Sequence, residues 1–388
     1  QLQSLKEKGH DHDELLQEMM RFFGEDMINP TTNRFYYFCR PFDATCEHVH
    51  MPIRDLAAAW DAAKAIYFLD QSEEVISETV RQSLKRAVKC TLASYFSWFD
   101  PDKQDECLSL SEDYLMEPAN IGHSAMLLLG ACSALEFNIV EEIEITEIRN
   151  SINGLARGIL SMQLTSGAFR TIFGDNDDFL RGIDFFPGEA ILALVTAYEY
   201  NLLNVPTKEE IIPAVVNAFN FYSEYHKTAD VDPNYNIWQV IAFSKLYDLM
   251  HNQRVTQKEV ASYVLKMCQE ICKSKSWKYQ LSRGQSFYVN LETIEIACGL
   301  DALAEGIRLA KLEQELELAR MFEVNAANAV CFLQWVQSQV PSSCVVGRGG
   351  LGYGGVCVLE QRLDVTGHAI SALIKLQKVL NIHHVDKI

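Results

Sequence analysis

The segment Ile53-Arg-Asp-Leu-Ala-Ala-Ala-Trp-Asp-Ala-Ala-Lys-Ala-Ile-Tyr-Phe-Leu69 decides the fold, because it is rich in alanine and apolar on nearly every side. A helix of this kind must be buried all round. Two later segments have the same character: Ser124-Ala-Met-Leu-Leu-Leu-Gly-Ala-Cys-Ser-Ala-Leu135 and Ala190-Ile-Leu-Ala-Leu-Val-Thr-Ala-Tyr198. Three more run over Ile237–Leu249, from Leu291 to about Ala310 and from Asp364 to about Leu380. Six buried helices are therefore predicted.

More amphipathic and more charged segments lie between the six apolar ones, and they are predicted as outer helices over 11–23, 74–99, 143–164, 207–226, 255–274 and 311–338. A helix with one charged face must lie on the outside. The alternation predicts a single all-α domain over residues 1–388, an (α/α)6 toroid of six helical hairpins that bury one another's inner helices.

Proline positions support these helix starts. Pro52, Pro187 and Pro233 stand at or near the first turns of inner helices, where a missing N–H costs nothing. Pro206-Thr207, followed by two glutamates, is interpreted as the capped start of an outer helix.

The composition excludes several classes of partner. Lys plus Arg total 34 and Asp plus Glu total 52, which gives a net charge of -18. Nucleic-acid binding needs a basic stripe and anionic membranes attract basic segments, so neither partner is expected. No apolar run reaches the roughly 20 residues of a membrane span. We therefore expect a cytoplasmic protein that binds a small molecule or a glycan, with a protein partner as a further possibility.

The cysteines and the glycine-rich segment indicate no cofactor and no metal. Cys90, Cys132, Cys298 and Cys331, among the eleven cysteines, lie in apolar helical sequence and are interpreted as buried free thiols of a reducing compartment. Cys268 and Cys272 have no second ligand pair nearby. The segment 347–355 follows no strand and lacks a Lys-Ser/Thr ending, so it is interpreted as a flexible loop rather than a phosphate loop.

Short motifs resemble those of a known superfamily. Gln163-Leu-Thr-Ser-Gly167-Ala-Phe169 resembles the Gln-x-x-x-Gly-x-Phe/Trp turn that follows outer helices in six-hairpin toroids. A related form is Phe332-Leu-Gln334-Trp-Val-Gln337, followed by Gly349-Gly350-Leu-Gly352-Tyr353. Phe185-Phe186-Pro187-Gly188-Glu189-Ala190 and Arg362-Leu-Asp364-Val-Thr-Gly-His368 look like inner-helix starts of bacterial members. The likeness covers about residues 30–380.

The resemblance implies a fold but several activities. The superfamily includes glycoside hydrolases, polysaccharide lyases, sugar epimerases, lanthionine cyclases and isoprenoid cyclases, and the fold does not settle the function. Asp175-Asn-Asp177-Asp178 matches the Asp-x-Asp-Asp pattern of protonating isoprenoid cyclases, but it precedes the Pro187 start by about ten residues. Cys344 and Cys357 near His368 give no convincing lanthionine-type zinc set.

In such a toroid the N-termini of all inner helices point to one end, so the groups in the preceding loops are expected to converge there. The predicted catalytic residues are Glu189, Asp364, His368, His123 and Asp184, and the predicted substrate-binding residues are Arg54, His50, Trp238, Glu292, Arg362 and Tyr353.

These groups predict a carbohydrate-active or epimerase-like enzyme that acts on a polar small molecule or glycan. Glycoside hydrolysis uses two carboxylates of different pKa, whereas lyases and epimerases pair a histidine with an arginine that holds a uronate. The alternatives are an isoprenoid or other small-molecule cyclase with its site in the same cavity, and a non-catalytic toroid that binds a protein partner or a glycan.

Overall fold

The computed structural model of the protein describes residues 12–71, 78–97, 108–110, 119–141, 144–174, 181–229, 236–250, 254–274, 277, 293–341, 343–352 and 360–385.

Twelve helices lie within these residues, alternately amphipathic and apolar. The outer, amphipathic helices are α1 (His12–Glu25), α3 (Glu78–Phe96), α5 (Ile145–Ser161), α7 (Val205–Thr228), α9 (Arg254–Lys273) and α11 (Leu316–Ser338). The inner, apolar helices are α2 (Pro52–Gln71), α4 (Ile121–Glu136), α6 (Phe186–Glu199), α8 (Ile237–Leu249), α10 (Thr293–Leu312) and α12 (Leu363–Val385). The predicted all-α class is confirmed.

Two helix starts differ in detail from the prediction. The cap of α7 is Asn204, whose side chain accepts a hydrogen bond from the backbone N–H of Thr207, so Pro206 lies inside the first turn. The last outer helix begins at Leu316 instead of residue 311, because α10 continues to Leu312 and Gln314 takes a positive φ of 62° in the turn between them.

Contacts among the helices divide the chain into two compact units, residues 1–87 with 265–388 (the first unit) and residues 88–264 (the second unit). In the first unit, α12 packs against α1, α2 and α10, and α10 also packs against α11. In the second unit, α6 packs between α4 and α8 and also contacts α5 and α7.

The predicted Gln-x-x-x-Gly turn lies in the second unit and packs against α7. The side-chain amide of Gln163 donates to the carbonyls of Gly167 (3.1 Å) and Ala214 (2.8 Å). Gly167 has a φ of +95°, and a Cβ there would lie 2.3 Å from the carbonyl oxygen of Asn217 in α7. Only glycine fits this approach of the turn to the next outer helix.

The first unit contains the same turn again. Gln337 donates to the carbonyl of Gly349 (2.9 Å), whose φ is also +95°, and a Cβ on Gly349 would lie 2.1 Å from the carbonyl oxygen of Glu18 in α1. Gln361 donates to the carbonyls of Gly347 and Gly350. The described part of the glycine-rich segment, 347–352, is therefore a packed turn, and the prediction of a flexible loop is wrong there.

A small antiparallel sheet, which the sequence did not indicate, combines two strands that precede α2 with one that precedes α12. It contains β1 (Phe38–Arg40), β2 (Thr45–Glu47) and β3 (Gln361–Arg362) in the order β2-β1-β3. Strands of two or three residues are too short to show alternation. Cys39 and Cys46 lie opposite each other on β1 and β2 and form a disulfide, so the prediction of free thiols does not extend to this pair. The seven other described cysteines are free thiols.

We expect Gly349→Ala to destabilise the fold by about 2 to 4 kcal/mol, since it combines a strained φ with a clash against the backbone of α1. Gly174→Ala is the matched control: Gly174 also has a positive φ, but no atom of the described residues lies within 4 Å of its Cβ position, so a loss of about 1 kcal/mol is expected. Denaturant unfolding measures both, and equal losses would contradict the packing role of Gly349.

Candidate functional site

Three segments of the first unit converge on the carboxylate of Asp364, at the start of α12. Arg362 donates through Nε to Oδ1 at 3.0 Å and through a terminal nitrogen to Oδ2. Arg54, in the first turn of α2, places a terminal nitrogen 3.1 Å from Oδ2. The backbone N–H of Val365 donates to Oδ1 at 3.1 Å, so the carboxylate also complements the N-terminus of α12.

The electrostatics keep Asp364 ionised. Its side chain is almost completely buried, which by itself disfavours the charged form. The opposite charges of Arg54 and Arg362, the hydrogen bonds from Arg362 and a contribution from His368 outweigh burial, and the pKa of Asp364 lies below its ordinary value of 3.8. Asp364 is therefore a fixed anion rather than a proton donor.

The small sheet positions Arg362. Phe38 pairs with Arg362 across β1 and β3, and the N–H of Leu363 donates to the carbonyl of Tyr37 at 3.0 Å. The guanidinium of Arg362 lies 5.3 Å from the centre of the Tyr37 ring. The neighbouring β1 residue Cys39 carries the disulfide, so the hairpin that orients Arg362 is covalently closed.

His368 lies one turn after Asp364 on α12 and is buried. Burial lowers the pKa of its imidazole below the ordinary 6.5; the carboxylates of Asp61, Asp364 and Asp301 oppose this shift, and Arg54 adds to it. The imidazole is therefore neutral at pH 7 and able to accept a proton.

The first unit also contains a ladder of charged side chains that was not predicted from the sequence. The ammonium of Lys64 lies 2.6 Å from Oδ1 of Asp61 and donates to Oγ of Ser371 at 2.8 Å. Ser371 donates to Oδ2 of Asp301 at 3.1 Å, and the ammonium of Lys375 lies 2.7 Å from Oδ1 of Asp301. The ladder joins α2, α10 and α12.

A signal for this ladder was present in the sequence. Asp61 and Asp301 each lie in the middle of a largely apolar helix, among its buried residues, and a buried carboxylate needs a partner of opposite charge. Gly367 makes room for the first of them, because a Cβ there would lie 2.4 Å from Oδ2 of Asp61.

In the second unit, the N-terminal ends of α4 and α6 meet at Glu189. A Cβ on Gly122 would lie 2.4 Å from Oε2 of Glu189, so glycine admits this carboxylate. His123 forms the capping box of α4: its Nδ1 accepts from the N–H of Asn120 at 3.4 Å, and its own N–H donates to the Asn120 side chain at 3.1 Å. The structure thus gives His123 a capping role.

The N-terminal ends of α6 and α8 approach each other in the same way. A Cβ on Gly188 would lie 2.6 Å from Cβ of Trp238 and 2.7 Å from the backbone nitrogen of Gln239. The second unit therefore brings together the predicted residues Glu189, His123 and Trp238, through their neighbours, at the start of three consecutive inner helices.

Two of the remaining predicted residues are at least partly exposed, and the other two lie outside the described residues. His50 is exposed on the segment before α2, and Asp184 is partly exposed in the turn before α6. Glu292, Tyr353 and the Asp175-Asn-Asp177-Asp178 motif lie outside the described residues. A pocket of about 490 Å³ between α5 and α7 is lined by Gln163, Glu209 and Pro213 among others, and it includes none of the predicted residues.

No helix among the described residues has the length and apolar character needed to cross a bilayer. No group of three or more His, Cys, Asp and Glu side chains among them is arranged to hold a metal ion. Cys268 is buried and packs against Gly306.

Among solved structures, the chain is similar to an unsaturated glucuronyl hydrolase specific for heparin, with a TM-score of 0.60 and 12% sequence identity over 97% of this chain and 99% of that chain. No protein-family model and no curated protein matches the sequence. The similar structure is a six-hairpin toroid, and the alternating helices described above fit the same pattern. The protein therefore has the (α/α)6 toroid fold, as the sequence predicted.

We expect Asp364→Asn to lower the free energy of unfolding by about 3 kcal/mol at pH 7, because two guanidiniums lose their buried counter-ion. The stabilisation by a carboxylate of lowered pKa is fully present above pH 3.8 and is lost as the pH falls through the folded-state pKa. The difference from the wild type should therefore shrink only in that acidic range, as measured by denaturant unfolding at several pH values.

Glu360→Gln is the matched control, since Glu360 also pairs with an arginine, Arg40, but is half exposed. A change of less than about 1 kcal/mol is expected for an exposed pair. A pH-independent loss in Asp364→Asn would show that its charge does not matter.

Proposed function

We propose that the protein is a carbohydrate-active enzyme that transfers a proton on a sugar bearing a carboxylate. The observation that carries the proposal is the arrangement of Arg54, Arg362 and Asp364 at the N-terminal ends of two inner helices, one turn from the neutral imidazole of His368.

The two arginines suit an anionic group. Two guanidiniums against one carboxylate leave one positive charge in this group of three residues. The Arg54 side chain is 36% exposed, and its Nε has no hydrogen-bond partner among the described residues. A guanidinium can hold two carboxylates at different edges, so Arg54 can bind a uronate while it keeps its contact with Asp364.

His368 suits the proton transfer. A neutral imidazole can remove the hydrogen from the carbon next to a carboxylate, and the resulting imidazolium can return a proton. The charges of Arg54 and Arg362 would stabilise the negative charge that develops on the sugar carboxylate. We assign Asp364 an electrostatic role, because a carboxylate of lowered pKa is a poor general acid; this favours lyase-like or epimerase-like chemistry over hydrolysis by two carboxylates.

The structural similarity supports the choice of substrate class. The similar protein is named for unsaturated glucuronyl groups, which carry a carboxylate. A uronate-containing glycan is therefore the ligand that we propose for this chain. Glu189, His123, Asp184, Trp238, His50, Glu292 and Tyr353 stay predicted participants.

A second candidate is a non-catalytic glycan-binding toroid. Both oxygens of Asp364 already have partners, as expected where charges are fixed for binding rather than freed for chemistry. The cyclase alternative receives no support from the ladder of Asp61, Lys64, Asp301 and Lys375, because a cyclase needs an apolar, aromatic-lined cavity around its carbocations.

For the enzyme we expect the hydrogen next to the carboxylate of a saturated heparin disaccharide to exchange with solvent deuterium, as followed by NMR. His368→Gln should reduce the rate about 100-fold or more. The rate should fall as the pH drops below 6.5, since protonation removes the base.

Arg54→Gln should raise KM for the uronate about tenfold or more, through loss of a charge-assisted hydrogen bond. Arg40→Gln is the control, because Arg40 is a partly exposed arginine of the same unit that pairs with Glu47 and Glu360 instead of Asp364. Binding of the disaccharide without turnover would select the second candidate, and a disaccharide affinity that Arg54→Gln leaves unchanged would contradict both.

A further inference from the structure

The start of α8 in the second unit contains buried amide groups without partners. Asn236, the N-cap residue, is fully buried, and neither its Oδ1 nor its Nδ2 has a hydrogen-bond partner within the described parts of the chain. The same holds there for Nε2 of Gln239, one turn further along and also fully buried. Buried polar groups without partners are rare and costly in folded proteins, so each requires an explanation.

A relay of hydrogen bonds fixes the orientation of the Gln239 amide. The hydroxyl of Tyr263, on α9, donates to Oε1 of Gln239 at 3.3 Å and lies 2.7 Å from Nδ1 of His226, on α7. Burial raises the pKa of Tyr263, so the hydroxyl stays protonated and able to donate. Because Oε1 is held by this hydroxyl, the NH2 group of Gln239 is the part that faces away and is left to donate.

Both amides belong to the cluster of inner-helix starts. Cγ of Gln239 lies 3.0 Å from the Cβ position of Gly188, and the next residue, Glu189, reaches the start of α4 at Gly122. Asn236, the N-cap, and Gln239 are three residues apart, a spacing that puts both on one side of the start of α8. The two uncharged amides therefore belong to the helix start that packs against Gly188, the residue before Glu189.

We propose that Asn236 and Gln239 form a binding subsite for the hydroxyl groups of an uncharged sugar ring or polyol. A hydroxyl donates and accepts at once, and Asn236 offers both functions while Gln239 offers a donor. Neither amide carries a charge that would select an anion. A site built to bond hydroxyls discriminates strongly against molecules that lack them, because its buried groups are then left unpaired.

The proposed subsite does not depend on the proposed function. Its residues all lie in the second unit, whereas the arginines and His368 lie in the first. The sugars and the polyol used to test the subsite carry no carboxylate. A chain that fails to bind a uronate can therefore still bind these probes, and a chain that fails to bind the probes can still bind and turn over a uronate.

The test measures binding of glucose, galactose, N-acetylglucosamine and myo-inositol to the full chain by ligand-observed NMR and calorimetry. We expect at least one probe to bind, and Asn236→Leu and Gln239→Leu to weaken it about tenfold or more. The melting temperature of the free Asn236→Leu protein should not fall, because an apolar side chain replaces an amide that had no partner.

Gln257→Leu is the matched control. Gln257, on α9, is also a buried glutamine, but its amide donates to the carbonyl of Tyr247 at 3.1 Å. Its replacement should lower the melting temperature and leave sugar binding unchanged.

Two results would overturn the proposal: no probe binds the wild-type chain, or binding is the same in both leucine variants. The second result, with a fall in melting temperature like that of Gln257→Leu, would show that the amides hold buried water instead. If the leucine variants do not fold, Tyr263→Phe removes only the hydroxyl that orients Gln239. It should weaken binding several-fold, and an unchanged affinity would equally overturn the proposal.

Discussion

Burial of ionised groups inside apolar helices is the constraint on which the first unit depends. Asp61 on α2 and Asp301 on α10 are buried carboxylates, and the partly exposed ammonium groups of Lys64 and Lys375 neutralise them. A slide of α12 against α10 would separate Lys375 from Asp301, and a slide against α2 would break the Lys64–Ser371 hydrogen bond, so these contacts define one alignment of the three helices. That alignment also sets where their first turns lie, and with it the meeting of the two guanidiniums with the carboxylate at the start of α12.

In the second unit, the inner helices are aligned by close packing at glycines instead of by charge pairs. Its inner helices approach through glycines, Gly122 and Gly188, and its buried polar groups at the helix starts are mostly uncharged. One unit therefore offers fixed charges and a neutral imidazole, and the other offers amides and a capping histidine.

All-round apolarity is a property of a short stretch of sequence, which is why the six inner helices could be predicted, with Ile237–Leu249 correct at both ends. The pairing of side chains depends on residues far apart in the chain. Asp364 was rightly placed at a helix start, but nothing local indicated that Arg54, 310 positions earlier, would share it. The capping role of His123 and the strands around Cys39 could not be predicted for the same reason. Both depend on hydrogen-bond partners, and neither produces a periodic pattern in the sequence.

The repeated glutamine–glycine turn has a consequence for the order in which the protein can assemble. The turn after α5 packs on α7, the next outer helix, but the turn after α11 packs on α1, and Arg21 of α1 donates to the carbonyl of Arg348 across 327 residues. At a ribosomal rate of roughly 5 to 20 residues per second, α1 leaves the ribosome about 16 to 65 seconds before that turn exists. During this interval the apolar face of α1, with Leu15, Met19 and Phe22, has no partner turn to cover it. The packing of α1 is therefore completed only after the last hairpin has been made.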